Sequence, residues 1–283
     1  HSRASRSPSA AGTAESLHET RRDNWDDSTV RGVSAKVTER EDLPRITLSS
    51  PQLDGAAGER GRELQVTGVL GEGGMGRVLL ARQASLGRDV AVKVARTGAT
   101  HGDLAALTHE ALMTGGMEHP GVIPVYQLAS DAHGNPALVM KRVDGVSWAM
   151  LLRHADDPVW NHIASPGAER LDSHIEILRQ VCNAIAFAHR KGVLHRDIKP
   201  ANVLIGEFGE VYVADWGIAR AKHGPPRKPS VVGTPLYLAP EMAAGDDEQM
   251  DERTDIFLLG ATLYEVLSGE PPWRGPDLKA VVE

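Results

Sequence analysis

The stretch that decides the reading runs from His195 to Asp215, HRDIKPAN followed by VLIGEFGEVYVAD. Short β-type runs on either side of GEFGE predict an antiparallel hairpin, and the two ends of such a hairpin lie side by side. Asn202 at its start and Asp215 at its end are therefore expected to converge. An amide oxygen and a carboxylate brought together suit Mg2+, a hard cation that takes oxygen ligands and keeps water and phosphate oxygens in its shell. Asp197 and Asn202 taken singly read as ordinary loop polars. The complete HRDIKPAN string is far too specific for a chance match.

Working back from this stretch, Gly71, Gly73 and Gly76 form a G-x-G-x-x-G. A dinucleotide site needs a helix to start at such glycines, whereas here RVLLAR and DVAVKV read as two strands. A glycine flap between strands fits better, and glycine lets backbone N–H groups approach phosphates closely because it lacks a Cβ. Lys93 stands in the otherwise apolar AVKV. Alone, it reads as a lysine that extends its amine to water; placed one hairpin after the flap, the amine can point beneath it. A buried ammonium needs a carboxylate, and Glu110 on the following helix is the natural partner.

That helix is expected over 103–117, with Asp103 as N-cap, Leu104, Leu107 and Ala111 on one face and Gly115 and Gly116 near its end. VIPVYQL and ALVMKRV then read as strands flanking the turn-rich SDAHGNP, after which the text is mainly helical. The strongest helix is expected over 173–190, from Leu171, Ile175, Leu178, Cys182 and Ile185, with a capping box of Ser173 and Glu176 and Gly192 as its stop. A last helix, 255–268, is apolar on nearly every side and is expected to be buried all round. Residues 1–60, rich in Ser, Arg, Asp, Glu and Gly, read as a disordered or low-complexity leader.

The net charge of −7 over 283 residues argues against nucleic acid as a partner. One cysteine, Cys182, excludes an internal disulfide and fits a reducing, cytoplasmic setting. No apolar run is long enough to span a membrane. The first residue is His and the text ends mid-helix, so a piece of a longer protein is expected.

In the order and spacing of these motifs, the sequence resembles the protein kinase superfamily, specifically the eukaryotic-like, bacterial-type serine/threonine kinases, over Leu64 to Trp273. The resemblance implies an α+β, bilobal fold: a β-rich N-lobe with one regulatory helix over 61–143, a hinge at 141–143, and a mainly α C-lobe over 144–283 that lacks its last helices. It implies ATP and Mg2+, with Mn2+ as the alternative ion. Leu70, Gly71, Gly73 and Gly76 would cover the nucleotide, Val78 and Ala91 sandwich adenine, Met140 act as gatekeeper, and the backbone of Lys141 and Val143 bond the base. Lys93, paired to Glu110, would hold the α- and β-phosphates. Asp197 would be the catalytic base, Lys199 a γ-phosphate contact, and Asn202 and Asp215 the metal ligands. Lys199 and GTPLYLAPE resemble kinases of serine and threonine rather than tyrosine. Thr234 would bond the catalytic loop, Glu241 anchor the end of the activation segment, and Asp255 brace the catalytic-loop backbone.

Two positions depart from the family pattern: Trp216 replaces a usual Phe after Asp215, and Thr114 replaces a usual aliphatic in the stack beneath the regulatory helix. Arg196 beside Asp197 resembles kinases in which a phosphate recruits that arginine, and Ser230 is the expected phosphosite. The implied activity is phosphoryl transfer from Mg-ATP to protein Ser/Thr hydroxyls, with autophosphorylation in trans among its expected reactions. The alternatives are a catalytically silent kinase-fold scaffold and, disfavoured by GTPLYLAPE, a small-molecule phosphotransferase.

Overall fold

A computed structural model of the chain describes residues 43, 46, 48–49, 64–73, 76–131, 133–154, 156–163, 169–222 and 231–275. The first half is built from β1 (Leu48–Ser49), β2 (Leu64–Gly73), β3 (Gly76–Gln83), β4 (Arg88–Val94), helix α1 (His101–Gly115), β5 (Val125–Ser130) and β6 (Pro136–Lys141). They form a sheet ordered β1-β2-β3-β4-β6-β5. Gly71, Gly73 and Gly76 lie on two paired strands: Gly71 faces Val78 and Gly73 faces Gly76 across the β2–β3 ladder.

Side chains alternate along β4, and both sides are used. Val90 and Val92 join Leu64, Ala81, Ala129, Ala137 and Val139 in one apolar cluster. Ala91 and Lys93 point the other way, toward their cross-strand partners Met140 and Leu138. Ile46 is 4% exposed and belongs to the first cluster, with Leu48 packed against it. The Ile46 N–H donates to Ser130 O at 2.9 Å, while β1 runs parallel to β2 with Leu48 opposite Leu64. Ile46, Leu48 and Ser49 thus link the two edges of the antiparallel sheet, meeting edge groups that would otherwise be open. These three residues fall within the stretch read from sequence as a leader, and they are part of the sheet.

Helix α1 begins earlier than its sequence suggests. Thr100, not Asp103, is the N-cap; its hydroxyl accepts from Asp103 N–H while the Asp103 carboxylate accepts from Thr100 N–H, a reciprocal capping box. Leu104, Leu107, Glu110, Ala111 and Thr114 are its buried residues.

The second half holds β7 (Gly145–Ser147), α2 (Trp148–Arg153), α3 (Trp160–Ile163), α4 (Arg170–Arg190), β8 (Val193–Leu194), β9 (Val203–Gly206), β10 (Val211–Val213), β11 (Arg220–Ala221), α5 (Pro240–Ala243) and α6 (Glu252–Ser268). The fold is the expected α+β, bilobal one. The largest core cluster gathers Ile177, Val181, Ala184 and Ile185 of α4 with Trp148, Ile205, Val213, Trp216, Leu238 and Leu258. In α4 the buried seam is Ser173, Ile177, Val181, Ala184, Ile185 and Ala188. Leu171 and Ile175, 43% and 44% exposed, lie outside it. The capping box of Ser173 and Glu176 does not form, since Glu169 is the N-cap without a side-chain bond and Ser173 is inside the helix. Burial of small Ser and Ala side chains lets neighbouring elements approach closely and shifts the seam away from the larger apolar residues.

Helix α6 starts at Glu252, where the Asp251 cap accepts from Arg253 N–H. Its burial is one-sided: Leu258, Leu259 and Ala261 are inside, whereas Ile256, Tyr264 and Leu267 form an exposed stripe.

Candidate active site

Lys93, Glu110 and Asp215 meet where β4, α1 and the loop after β10 come together. Lys93 Nζ lies 2.7 Å from each oxygen of Glu110 and 3.2 Å from Asp215 Oδ1. Burial disfavours the lysine ammonium, but the two carboxylates outweigh it and hold Lys93 above its ordinary value. Burial pushes the Glu110 carboxyl above its ordinary value, and Lys93 offsets this only in part. With Nζ equidistant from both oxygens, the charged pair is the state that this geometry stabilises. Burial also opposes ionisation of Asp215, yet Lys93 keeps it below the usual carboxylate range.

Asp197 is fixed at both oxygens. Its Oδ1 accepts from the Thr234 hydroxyl at 2.7 Å. Its Oδ2 accepts from Lys199 Nζ at 2.5 Å and from Asn202 Nδ2 at 2.8 Å. Lys199 Nζ also donates to Thr234 Oγ1, and Asn202 Nδ2 also reaches Asp197 O at 2.8 Å. With its amide protons committed to Asp197, Asn202 keeps Oδ1 as an acceptor. The β9–β10 hairpin pairs Val203 with Val213, and Ala214 N–H donates to Asn202 O at 2.9 Å, so the ends carrying Asn202 and Asp215 do converge.

Among the described residues no group of three or more His, Cys, Asp and Glu is placed to enclose a metal ion. One carboxylate and one amide oxygen fit a different mode of binding, in which Mg2+ completes its shell with water and phosphate oxygens.

Beneath these groups the backbone at His195 and Arg196 is clamped by Asp255, which is fully buried. Its oxygens accept from His195 N–H and Arg196 N–H, each at 2.9 Å, and His189 Nε2 lies 2.7 Å from Oδ2. His195 Nδ1 accepts from Asp197 N–H at 3.1 Å, so Nε2 carries the proton and donates to Ala214 O at 3.2 Å. Burial holds the ring well below the usual imidazole range, in its neutral form. Arg196 and Asp215 are the described non-glycine residues with positive φ, 66° and 60°. Such strain gathers where surrounding structure over-determines the backbone.

The two departures from the family pattern are both accommodated. Trp216 is completely buried against His195, ring centroids 4.4 Å apart, and its indole N–H donates to Val213 O at 3.2 Å. The Thr114 hydroxyl donates to Glu110 O at 2.7 Å within α1, so the polar group in the stack is satisfied.

On the sheet, register places Val78 opposite Lys93 and Ala91 opposite Met140, all facing one side. Leu70 is half exposed on β2. Nothing lies within 4 Å of a Cβ added to Gly71 or Gly73. The Lys141 N–H is taken by Pro124 O at 2.9 Å, so any contact of its backbone with a base falls to the carbonyl. Val143 follows β6 on the connection to β7. Glu241 accepts from the Thr254 hydroxyl at 2.6 Å. Ser230 lies outside the described residues.

A family model described as the protein kinase domain matches residues 64–282. The chain belongs to the protein kinase family. It is 39% identical over 222 residues to the serine/threonine-protein kinase PknB of Mycolicibacterium smegmatis, covering 75% of this chain and 33% of that protein. It is 39% identical over 216 residues to PknB of Mycobacterium tuberculosis, covering 73% and 32%. A probable serine/threonine-protein kinase of Streptomyces coelicolor is 37% identical over 223 residues, covering 75% and 31%. The chain therefore spans about a third of the length of these curated relatives.

This kinase domain also contains functional contacts that the sequence reading missed. His109, next to Glu110 on α1, donates from Nε2 to Ala219 O at 2.7 Å and so ties the helix to the segment after Asp215. Arg196, expected to meet a phosphate, is already engaged: its guanidinium donates twice to Ile218 O and lies 2.9 Å from Asp247. Arg220 joins the same carboxylate. No local signal separates Asp247 from its acidic neighbours in GDDEQMDER; only the tertiary fold selects it.

Proposed function

We propose that this kinase domain transfers the γ-phosphoryl group of ATP, bound with Mg2+ or Mn2+, to serine and threonine hydroxyls of proteins, its own chain in trans among them. The observation that carries the reading is the Lys93–Glu110 pair reaching Asp215, which joins sheet, helix and catalytic hairpin into one charged centre. A scaffold that only binds partners has no physical need for such a largely buried ion-paired arrangement, whose desolvation is expensive.

In this reading Gly71, Gly73 and Gly76 lay backbone over the phosphates, and Leu70, Val78 and Ala91 enclose adenine. Met140 lines the back of that pocket, while the Lys141 carbonyl and the Val143 backbone meet the edge of the base. Lys93 orients the α- and β-phosphates. Asp215 and Asn202 Oδ1 hold the cation, and Lys199 meets the γ-phosphate. Bound nucleotide supplies the electrophilic phosphorus, and the cation neutralises charge on its oxygens. Asp197 accepts the proton that the substrate hydroxyl gives up; its fixed oxygens orient that hydroxyl. Thr234 and Glu241 set the activation segment against this centre. The sole cysteine, Cys182, supports the further proposal of a reducing, cytoplasmic setting. Among the described residues no helix is long and apolar enough to cross a membrane.

The test is Mg-ATP-dependent phosphate incorporation into this protein and into a generic basic protein, compared with a folded Asp215→Ala variant. Incorporation on Ser and Thr that disappears in the variant is expected. A folded, ATP-binding wild type that incorporates nothing would favour the scaffold.

A further inference from the structure

Asp247 sits in the loop between α5 and α6 with its side chain 11% exposed, between the deeply buried guanidinium of Arg196 and that of Arg220, as buried as itself. Its Oδ1 lies 2.9 Å from Arg196 Nη1, and its Oδ2 lies 2.7 Å from Arg220 Nη1, which also donates to Asp247 O at 2.6 Å. These arginines come from the two segments that carry the centre: Arg196 adjoins Asp197, and Arg220 opens β11, five residues after Asp215. Arg196 holds a strained positive φ, is fastened at its backbone by Asp255, and crosses at its tip to Ile218 O. Two buried cations this close repel strongly unless an anion stands between them. A single carboxylate supplies it. Asp247 Oδ2 meets Arg220 as a charge contact only, and neither it nor the buried Nε of Arg220 has a hydrogen-bond partner among the described residues.

We infer that Asp247 is a positioning residue: a built-in counter-anion that locks the catalytic loop to the segment after Asp215, doing so without a phosphorylated activation segment. The inference rests on the kinase reading above. It replaces the expectation that a phosphate at Ser230 is what Arg196 needs. Between Asp215 and Thr234, Ser230 is the sole hydroxyl-bearing side chain, so one substitution removes every phosphate acceptor in that interval.

The experiment compares the full chain with Ser230→Ala, Asp247→Asn, Asp247→Glu and, as a surface control, the exposed Glu248→Gln. Phosphoryl transfer and hydrogen exchange over 195–222 are measured for each. Ser230→Ala and Glu248→Gln are expected to keep activity within about twofold. Asp247→Asn, nearly the same shape without the charge, is expected to lose roughly tenfold or more in kcat with KM for ATP little changed, because misplacing a reacting group by a fraction of an ångström is that costly. Faster exchange at 195–202 should accompany the loss, and Asp247→Glu should restore much of both. A Ser230→Ala variant that loses activity while Asp247→Asn keeps it would overturn the inference, as would unchanged exchange in Asp247→Asn. If the wild type transfers no phosphate at all, the kinase reading fails, and the exchange comparison still decides the role of Asp247.

Discussion

Asp255 has no exposed surface and serves two backbone donors and a histidine at once. Asp255→Ala strands His195 N–H and Arg196 N–H in the interior, each a buried donor that costs about 1–3 kcal/mol when unmet. We expect stability to fall by several kcal/mol, readable by denaturant titration; a loss below about 1 kcal/mol would mean that the loop finds other acceptors. The flap glycines separate in the same residue-level way. A Cβ on Gly76, where φ is 151°, would meet Val94 O at 2.3 Å, whereas nothing lies within 4 Å of one on Gly71. Gly76→Ala should therefore lower stability by about 1–3 kcal/mol. Gly71→Ala should leave the melting temperature unchanged and raise KM for ATP. Equal melting losses in the two variants would contradict the difference in their surroundings. Residues of this kind differ in how far the sequence reveals them. His195 to Asn202 is one continuous string, so its members read together, and Asp255 is placed by the family resemblance at the head of an apolar helix. Asp247 has no such string and is identified only by what folds over it.

At the level of elements, hairpins were more legible than helix faces. The β2–β3–β4 and β9–β10 ladders follow from runs of apolar residues broken by glycines, a local pattern. In α4, by contrast, Leu171 and Ile175 look like core and are half exposed, because the seam runs through Ser173, Ala184 and Ala188, where neighbours come close. The bridge at 46–49 was illegible for another reason: two strand residues inside a polar stretch carry no period, and only the two open edges of the sheet give them a place. Its contribution is measurable. Ile46→Ala should cost about 2–4 kcal/mol, since a nearly fully buried aliphatic side chain is truncated. A change within about 0.5 kcal/mol, the range usual for surface substitutions, would show that the sheet is stable without this bridge.

For the whole molecule, the buried His195 and the partly buried His174 contribute to the acid limb of stability. Burial depresses His195 and His174 below the ordinary histidine value of 6.5, and His174 Nδ1 accepts from Trp148 Nε1–H at 2.8 Å. As the pH falls below 6.5 the unfolded chain takes up protons on these rings before the folded one does. Stability is therefore complete above that value and declines on acidification. Denaturant titrations at about pH 5.5 and about pH 7.5 should give the lower midpoint at the acid value; the reverse order would contradict neutral, buried rings. The same interior carries the activity proposed here, because Lys93, Glu110 and Asp197 are buried while Asp215 is left partly open to solvent beside them.

That activity is tested most directly at Asp197, with nucleotide binding and phosphoryl transfer measured on the same preparations of wild type and Asp197→Asn. We predict ATP affinity within about twofold of wild type and a fall in transfer on the order of 10²–10⁴, the usual worth of a positioned base. Transfer at the wild-type rate, or loss of ATP binding in step with loss of transfer, would contradict the role assigned to Asp197.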